Sequence, residues 1–217
     1  MITPRVVDIY HGDNVEGNDC VIGFQKAKDA GIWGVIHKSS QGTSITDSAY
    51  ARRRRAAEQV GLLWGAYHFN TGENITDQVN HFISVAQPTD KTLMVLDFED
   101  NPRRNMTPQQ AVDFLRTLED RLGRKGAIYS GNRIKETVDS LTADDQAYLT
   151  SHRLWLCQYG PRAVLPHHWS EYFLWQYTGD GIGLPPHWVD GISVPGGKGI
   201  DLNVYNGTQE ELTANWT

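Results

Sequence analysis

The chain has 217 residues, of which 39% are hydrophobic and 21% charged, with 20 Lys and Arg against 26 Asp and Glu for a formal net charge of −6. That length favours one domain over residues 1–217 that buries a core without disulfide or metal staples. The acidic balance excludes generic nucleic-acid binding, which needs a Lys/Arg surplus over phosphate, and no apolar run reaches the roughly 18 residues of a membrane span.

Strand-like and helix-like segments alternate from the start. Residues 5–11 are a β-branched run ending in His-Gly-Asp and predict a first strand, and 24–30 reads as a helix before Gly31. A second strand spans 34–39, followed by a helix from Asp47, as N-cap, to residue 60. A third strand (62–69) and third helix (75–85) lead to 92–99, nearly all apolar before its acidic end, as suits a strand covered on both faces. Residues 107–122 are the clearest helix, with Thr107 as N-cap, Pro108 at the first helical position and Gly123 at the stop. After a fifth strand at 126–130 the rhythm changes. Strands at 154–159, 173–177 and 201–205 are separated by Gly/Pro/Trp-rich loops. Five β/α units and three further strands make an α/β fold of eight strands, which permits a closed barrel; the pattern alone also allows an open doubly wound sheet.

The most informative stretch is Leu96-Asp97-Phe98-Glu99-Asp100, where a buried strand ends in acids. Strand alternation puts Asp97 and Glu99 on one face, at the C-terminal strand end where barrel enzymes place catalytic groups. Two close, half-buried carboxyls repel as anions, so one can keep its proton near neutral pH and serve as general acid. Asp8 and Asp201 interrupt apolar strands in the same way. Barrel closure would bring the first and last strands together and gather all four acids around one mouth. Aromatic neighbours, among them Tyr10, Tyr67, Tyr129, Trp155, Trp175 and Tyr177, suit a sugar site, although core filling is the commoner role of any single one.

Taken in order, Asp8, Gly65-Ala66-Tyr67-His68-Phe69, Asp97-Phe98-Glu99, Trp175-Gln176-Tyr177 and Asp201-Leu202-Asn203 resemble the family 25 glycoside hydrolases, the Chalaropsis-type muramidases. The likeness covers nearly the whole chain. It implies a single-domain, irregular TIM-like (β/α)5(β)3 barrel that hydrolyses the β-1,4 bond between N-acetylmuramic acid and N-acetylglucosamine in bacterial peptidoglycan. By motif position it implies Glu99 as general acid, Asp97, Asp8 and Asp201 as supporting carboxylates, and Tyr67, Tyr129 and Gln176 as sugar contacts. One departure is Lys38-Ser39-Ser40-Gln41-Gly42, where the family reads Lys-Ala-Thr-Glu-Gly.

Residues two apart on a strand have α-carbons roughly 6.5–7 Å apart, which fits neither the retaining nor the inverting carboxyl spacing uniquely. A third route uses the 2-acetamido group of the substrate as nucleophile, with Asp97 or Asp8 orienting its amide. A chitinase of the family 18 type is the nearest rival; its Asp-x-x-Asp-x-Asp-x-Glu pattern needs Asp at 92 and 95, where this chain has Thr92 and Val95. A non-catalytic wall-binding barrel is the alternative from another class.

No cofactor is expected, and no metal site: none of the eight histidines forms HExxH, and His167-His168 is an adjacent pair in a loop. Arg52 to Arg55 point to different sides of a helix, so most of that charge should be solvated. Cys20 and Cys157 read as two buried thiols. The first twenty residues lack the apolar core of a signal peptide, so a monomer acting outside the cell on wall glycan is expected to leave by a route that this sequence does not spell out.

Overall fold

The computed structural model describes residues 2–102 and 104–217. Among them, eight strands close into a barrel: β1 (Val6–Ile9), β2 (Gly34–Gln41), β3 (Leu63–Phe69), β4 (Leu93–Asp97), β5 (Ala127–Ser130), β6 (Arg153–Cys157), β7 (Leu174–Gly179) and β8 (Asp201–Val204). Neighbours from β1 to β7 pair in parallel in chain order. Strand β8 closes the ring, antiparallel to both β7 and β1. The helices α1 (Val21–Asp29), α2 (Tyr50–Gln59), α3 (Ile75–Ala86) and α4 (Pro108–Leu122) follow β1 to β4, and α5 (Asn132–Thr137) and α6 (Ala143–Thr150) follow β5. No helix separates β6, β7 and β8, so the expected (β/α)5(β)3 plan is the observed one; a short helix α7 (Gln209–Ala214) ends it.

Strand alternation sorts each segment between two layers. Val6, Ile36, Leu93, Val95, Ala127, Tyr129, Trp155 and Leu174 point inward and pack as one buried cluster. Leu212 and Trp216, from α7 and just beyond it, join that cluster from below, and the Trp216 indole N–H donates to the Trp64 carbonyl at 2.8 Å. Outward residues such as Val7, Val35, Ala66, Met94, Leu96 and Ile128 meet the helices in the larger cluster. Trp175 and Tyr177 belong to this outer layer, so of the aromatics considered for a sugar site these two are core.

Local chemistry explains the helix ends. Thr107 caps α4 with a reciprocal pair, its hydroxyl accepting from Gln110 N–H and its own N–H donating to Gln110 Oε1, and Gly123 ends the helix at φ 69°. Asp47, expected as the cap of α2, does something else. The helix starts at Tyr50, while one Asp47 oxygen accepts from Ala49 N–H and the other from His11 N–H and its ring. A two-residue side-chain turn has displaced the cap.

The arginine run is also not uniformly solvated. Arg53 is buried, donating to the Tyr10 and Asp13 carbonyls and to His37 Nε2. It thereby clamps the turn that follows β1. His37 Nδ1 lies 2.6 Å from the Lys38 carbonyl, so Nδ1 carries the proton and Nε2 accepts; burial holds this imidazole neutral, down to about 4.

Candidate active site

The inward rows continue upward from the apolar core into polar residues at the strand ends. The same alternation that buries Val6, Val95 and Leu174 places Asp8, Asp97 and Gln176 two residues further on, at one level of the barrel mouth. Asp8, Tyr67, Asp97, Glu99, Tyr129, Gln176 and Asp201 line a single pocket of about 80 Å³, joined there by Trp155. All seven residues expected from sequence thus converge. Glu99 also borders a cleft of about 520 Å³ with Phe69, Gly131, Arg133, Cys157 and Tyr159, so it stands where the deep pocket opens into the wider one. A groove of about 690 Å³ near the starts of β6 and β7 is larger but holds none of these acids.

Strand β4 stops at Asp97, so Glu99 lies beyond it and alternation alone does not fix its direction. Side chains supply the missing restraint. Asn70 donates through Nδ2 to the carbonyls of Asp97 and Glu99, at 3.0 and 2.8 Å; the Phe98 N–H donates to the Tyr129 carbonyl; and Ser130 Oγ donates to the Phe98 carbonyl at 2.6 Å. The chain past the strand end is held extended from both sides. Nothing in the sequence singles out Asn70, because its partners are backbone carbonyls that only the closed sheet brings near it.

Asp8 and Asp201 are direct partners in the antiparallel register of β1 and β8. Asp8 is saturated: Gln176 Nε2 donates to both of its oxygens and Asn203 Nδ2 to one at 2.7 Å. The carbonyl oxygen of Gln176 accepts from Tyr129 at 2.7 Å, and that of Asn203 from the Trp155 indole at 2.5 Å. Gln176 therefore spends both ends of its amide inside the protein. Asp97 differs, because its Oδ1 is buried and has no hydrogen-bond partner among the described residues.

Every acid in the pocket is harder to ionise than a free carboxyl. Burial pushes Glu99 up to about 7, helped by the charges of Asp8 and Asp100. Asp97 rises well above the usual range through burial and the neighbouring Glu99, with Lys38 pulling the other way. Burial and then Asp8 raise Asp201 to about 9, and burial raises Asp8 to about 6 against the opposing hydrogen bonds from Asn203 and Gln176. These groups titrate together, and the four cannot all be anions at neutral pH. Among the described residues no Lys or Arg forms an ion pair with Glu99. Tyr67 and Tyr129 stay neutral hydroxyls, their ionisation opposed chiefly by burial.

One sequence expectation changes here. Cys20 is buried, but Cys157 is only half-buried and lines the cleft beside Glu99, its thiol pushed up to about 12 by burial. At the departure noted in β2, Gln41 accepts from the Lys38 ammonium at 2.8 Å, so this position holds Lys38.

The eight-stranded β/α barrel thus carries a cluster of protonatable carboxyls at its mouth, open to a cleft, where barrel enzymes place their catalytic groups. The sequence profile of Glycosyl hydrolases family 25 matches residues 7–183. The chain belongs to this family.

Among its relatives, YegX of Escherichia coli is 27% identical over 179 residues, which are 81% of this chain and 60% of YegX. Lysozyme M1 of Streptomyces globisporus is 26% identical, with 89% of this chain and 66% of that protein covered. The chain thus spans about 60% of the length of the first of these relatives. The crystal structure of the bacterial lysozyme from Streptomyces coelicolor shares the fold with a TM-score of 0.79, at 23% identity, over 97% of this chain and 95% of the other.

Proposed function

We propose that this protein is an N-acetylmuramidase that cleaves the β-1,4 bond between N-acetylmuramic acid and N-acetylglucosamine in peptidoglycan, with Glu99 as general acid. The observation that carries the reading is the position of Glu99: raised to about 7, without an ion-pair partner among the described residues, and shared by the acid pocket and the open cleft. A glycan in the cleft offers its glycosidic oxygen to a carboxyl that still holds its proton. Protonation spares the leaving sugar from departing as an alkoxide.

Asp97 is the group that meets the acetamido arm. Asp8 has both oxygens occupied by Gln176 and Asn203, whereas Asp97 keeps a buried oxygen without a partner, able to accept the amide N–H as the acetamido carbonyl attacks the anomeric carbon. Burial and Glu99 favour the protonated form of Asp97, and Lys38 pulls toward the anion that would balance the positive charge developing on that arm. Asp8 and Asp201 complete the negative surroundings of the oxocarbenium-like centre. Tyr67 and Tyr129 border the ring as sugar contacts, and Gln176 acts by fixing Asp8 and Tyr129. The protein works as a monomer on the wall outside the cell.

Digestion of purified peptidoglycan, borohydride reduction and mass spectrometry test the reading. Muramitol ends are the expected product. Glucosaminitol ends would reassign the bond, and the absence of new reducing ends would leave a wall-binding barrel.

A further inference from the structure

Far from the acids in sequence, His167 and His168 occupy the two central positions of a turn closed by the Trp169 N–H to the Pro166 carbonyl at 3.2 Å. An extended chain would send adjacent side chains to opposite faces; a turn lets both imidazoles leave one side, and their rings meet edge to face with centroids 4.9 Å apart. The turn is anchored at both ends. Pro166 and Trp169 are buried, and the Trp169 indole donates to the His152 carbonyl.

Opposite the turn stands Asp139, in the single 3-10 turn Val138–Ser140 after α5. Buried Val138 and Gln146, whose Nε2 donates to the Val138 and Leu141 carbonyls, fix that segment. Asp139 Oδ1 lies 2.7 Å from His168 Nε2, and no Lys or Arg among the described residues pairs with it. One donor atom from each of Asp139, His167 and His168 falls within 4.8 Å of the other two, and all three residues are exposed.

From this geometry we infer that Asp139, His167 and His168 form a surface binding site for a borderline divalent transition metal, of which Zn²⁺ is the test ion. Two imidazoles and a carboxylate are the donor set that such ions take from proteins, and tetrahedral zinc with bonds of about 2.0–2.1 Å needs its donors roughly 3.3 Å apart. One pair stands at 2.7 Å and no pair exceeds 4.8 Å, so small side-chain rotations on two anchored turns suffice. Solvent completes the shell, since the site is open. The set contains no thiolate and too few oxygens for calcium or magnesium. A bound ion would tie the connection between β6 and β7 to the segment joining α5 and α6, two stretches otherwise linked here by the His168–Asp139 contact. The sequence alone pointed away from this, because the third donor sits 28 residues before the pair and only the fold supplies it.

Calorimetric titration of the chelator-treated, tag-free chain with zinc chloride, alongside thermal melts with and without the ion, tests the site. One ion per chain should bind with micromolar affinity, and His167→Ala and His168→Ala should each weaken it by at least about tenfold. Zinc should raise the melting temperature of the wild type and raise that of His168→Ala less at the same concentration. No binding at millimolar zinc, or equal binding by the His167→Ala/His168→Ala double variant, would overturn the assignment. Neither readout depends on wall hydrolysis.

Discussion

Asn203 and Trp155 meet inside the barrel through a 2.5 Å bond from the indole N–H to the amide oxygen, while the same amide's nitrogen donates to Asp8. One side chain thus satisfies a core aromatic on β6 and a carboxyl on β1 at once. Replacing it with Ala would leave an indole donor unpaired and Asp8 short of one of its donors, all of it buried. Asn203→Ala should cost about 2–4 kcal/mol in chemical denaturation, with Asp8 driven further from ionisation. A loss below 1 kcal/mol would mean that water replaces the amide.

Glu99→Gln removes the proton donor and little else, since among the described residues no hydrogen bond to the Glu99 side chain holds the fold. Lysis of purified walls followed by turbidity should fall by about 10²–10⁴-fold. The melting temperature at pH 8 should stay at or above that of the wild type, because an uncharged amide replaces a desolvated carboxyl beside Asp8 and Asp100. Undiminished lysis would assign the acid elsewhere.

Asp97→Asn tests the acetamido route. If Asp97 accepts the amide N–H and balances its charge, kcat should drop by about 10²–10³-fold with KM little changed. Proton NMR of the first product should show the β-anomer from the wild type. An α-anomer appearing first would exclude retention by the substrate's own acetamido group.

The pocket also sets a pH trend. Asp8, Glu99 and Asp201 have folded values of about 6, 7 and 9, above an unfolded carboxyl near 4. The folded state therefore binds more protons than the unfolded one between these limits. The stability these groups contribute is complete below pH ~4 and is lost as pH rises through each folded value. Buried His37 and His68, lowered to about 4 and about 3, act oppositely, their contribution being lost as pH falls below ~6.5. Above pH 6.5 the acids dominate, so melting temperature should decline toward pH 9, and Asp201→Asn should flatten that decline. Wall lysis should fall above pH 7 as Glu99 loses its proton.

The eight strands were legible because each holds a short apolar stretch and most are set off by Gly, Pro or acids, and α4 because Thr107, Pro108 and Gly123 each have one plain structural meaning. The short helices α5, α6 and α7 were not. They run six to eight residues and are set by what they pack on, as Leu212 and Trp216 show at the barrel floor. In the site, the acids could be found from Asp residues that break apolar strands. Asn70, Ser130 and Asn203 could not, because their partners are backbone carbonyls and side chains brought close only by the closed sheet. Arg53 was misread for the same reason, since one member of a four-arginine run looks like its neighbours until the turn after β1 folds over it.

The reversal of β8 reaches beyond topology. The chain leaves the barrel just past Asp8 and Asp97, near the ends of β1 and β4, but Asp201 opens its strand, so the chain reaches it from above. The excursion from Asp180 to Ile200 leaves β7 and returns into β8 on the same side, which makes that quadrant of the mouth a single continuous flap of sequence. Ile192 and Ile200 root that stretch in the core and Pro186 and His187 bond to β7, so only its residues facing the mouth are free to vary without disturbing the strands that aim Asp97 and Glu99.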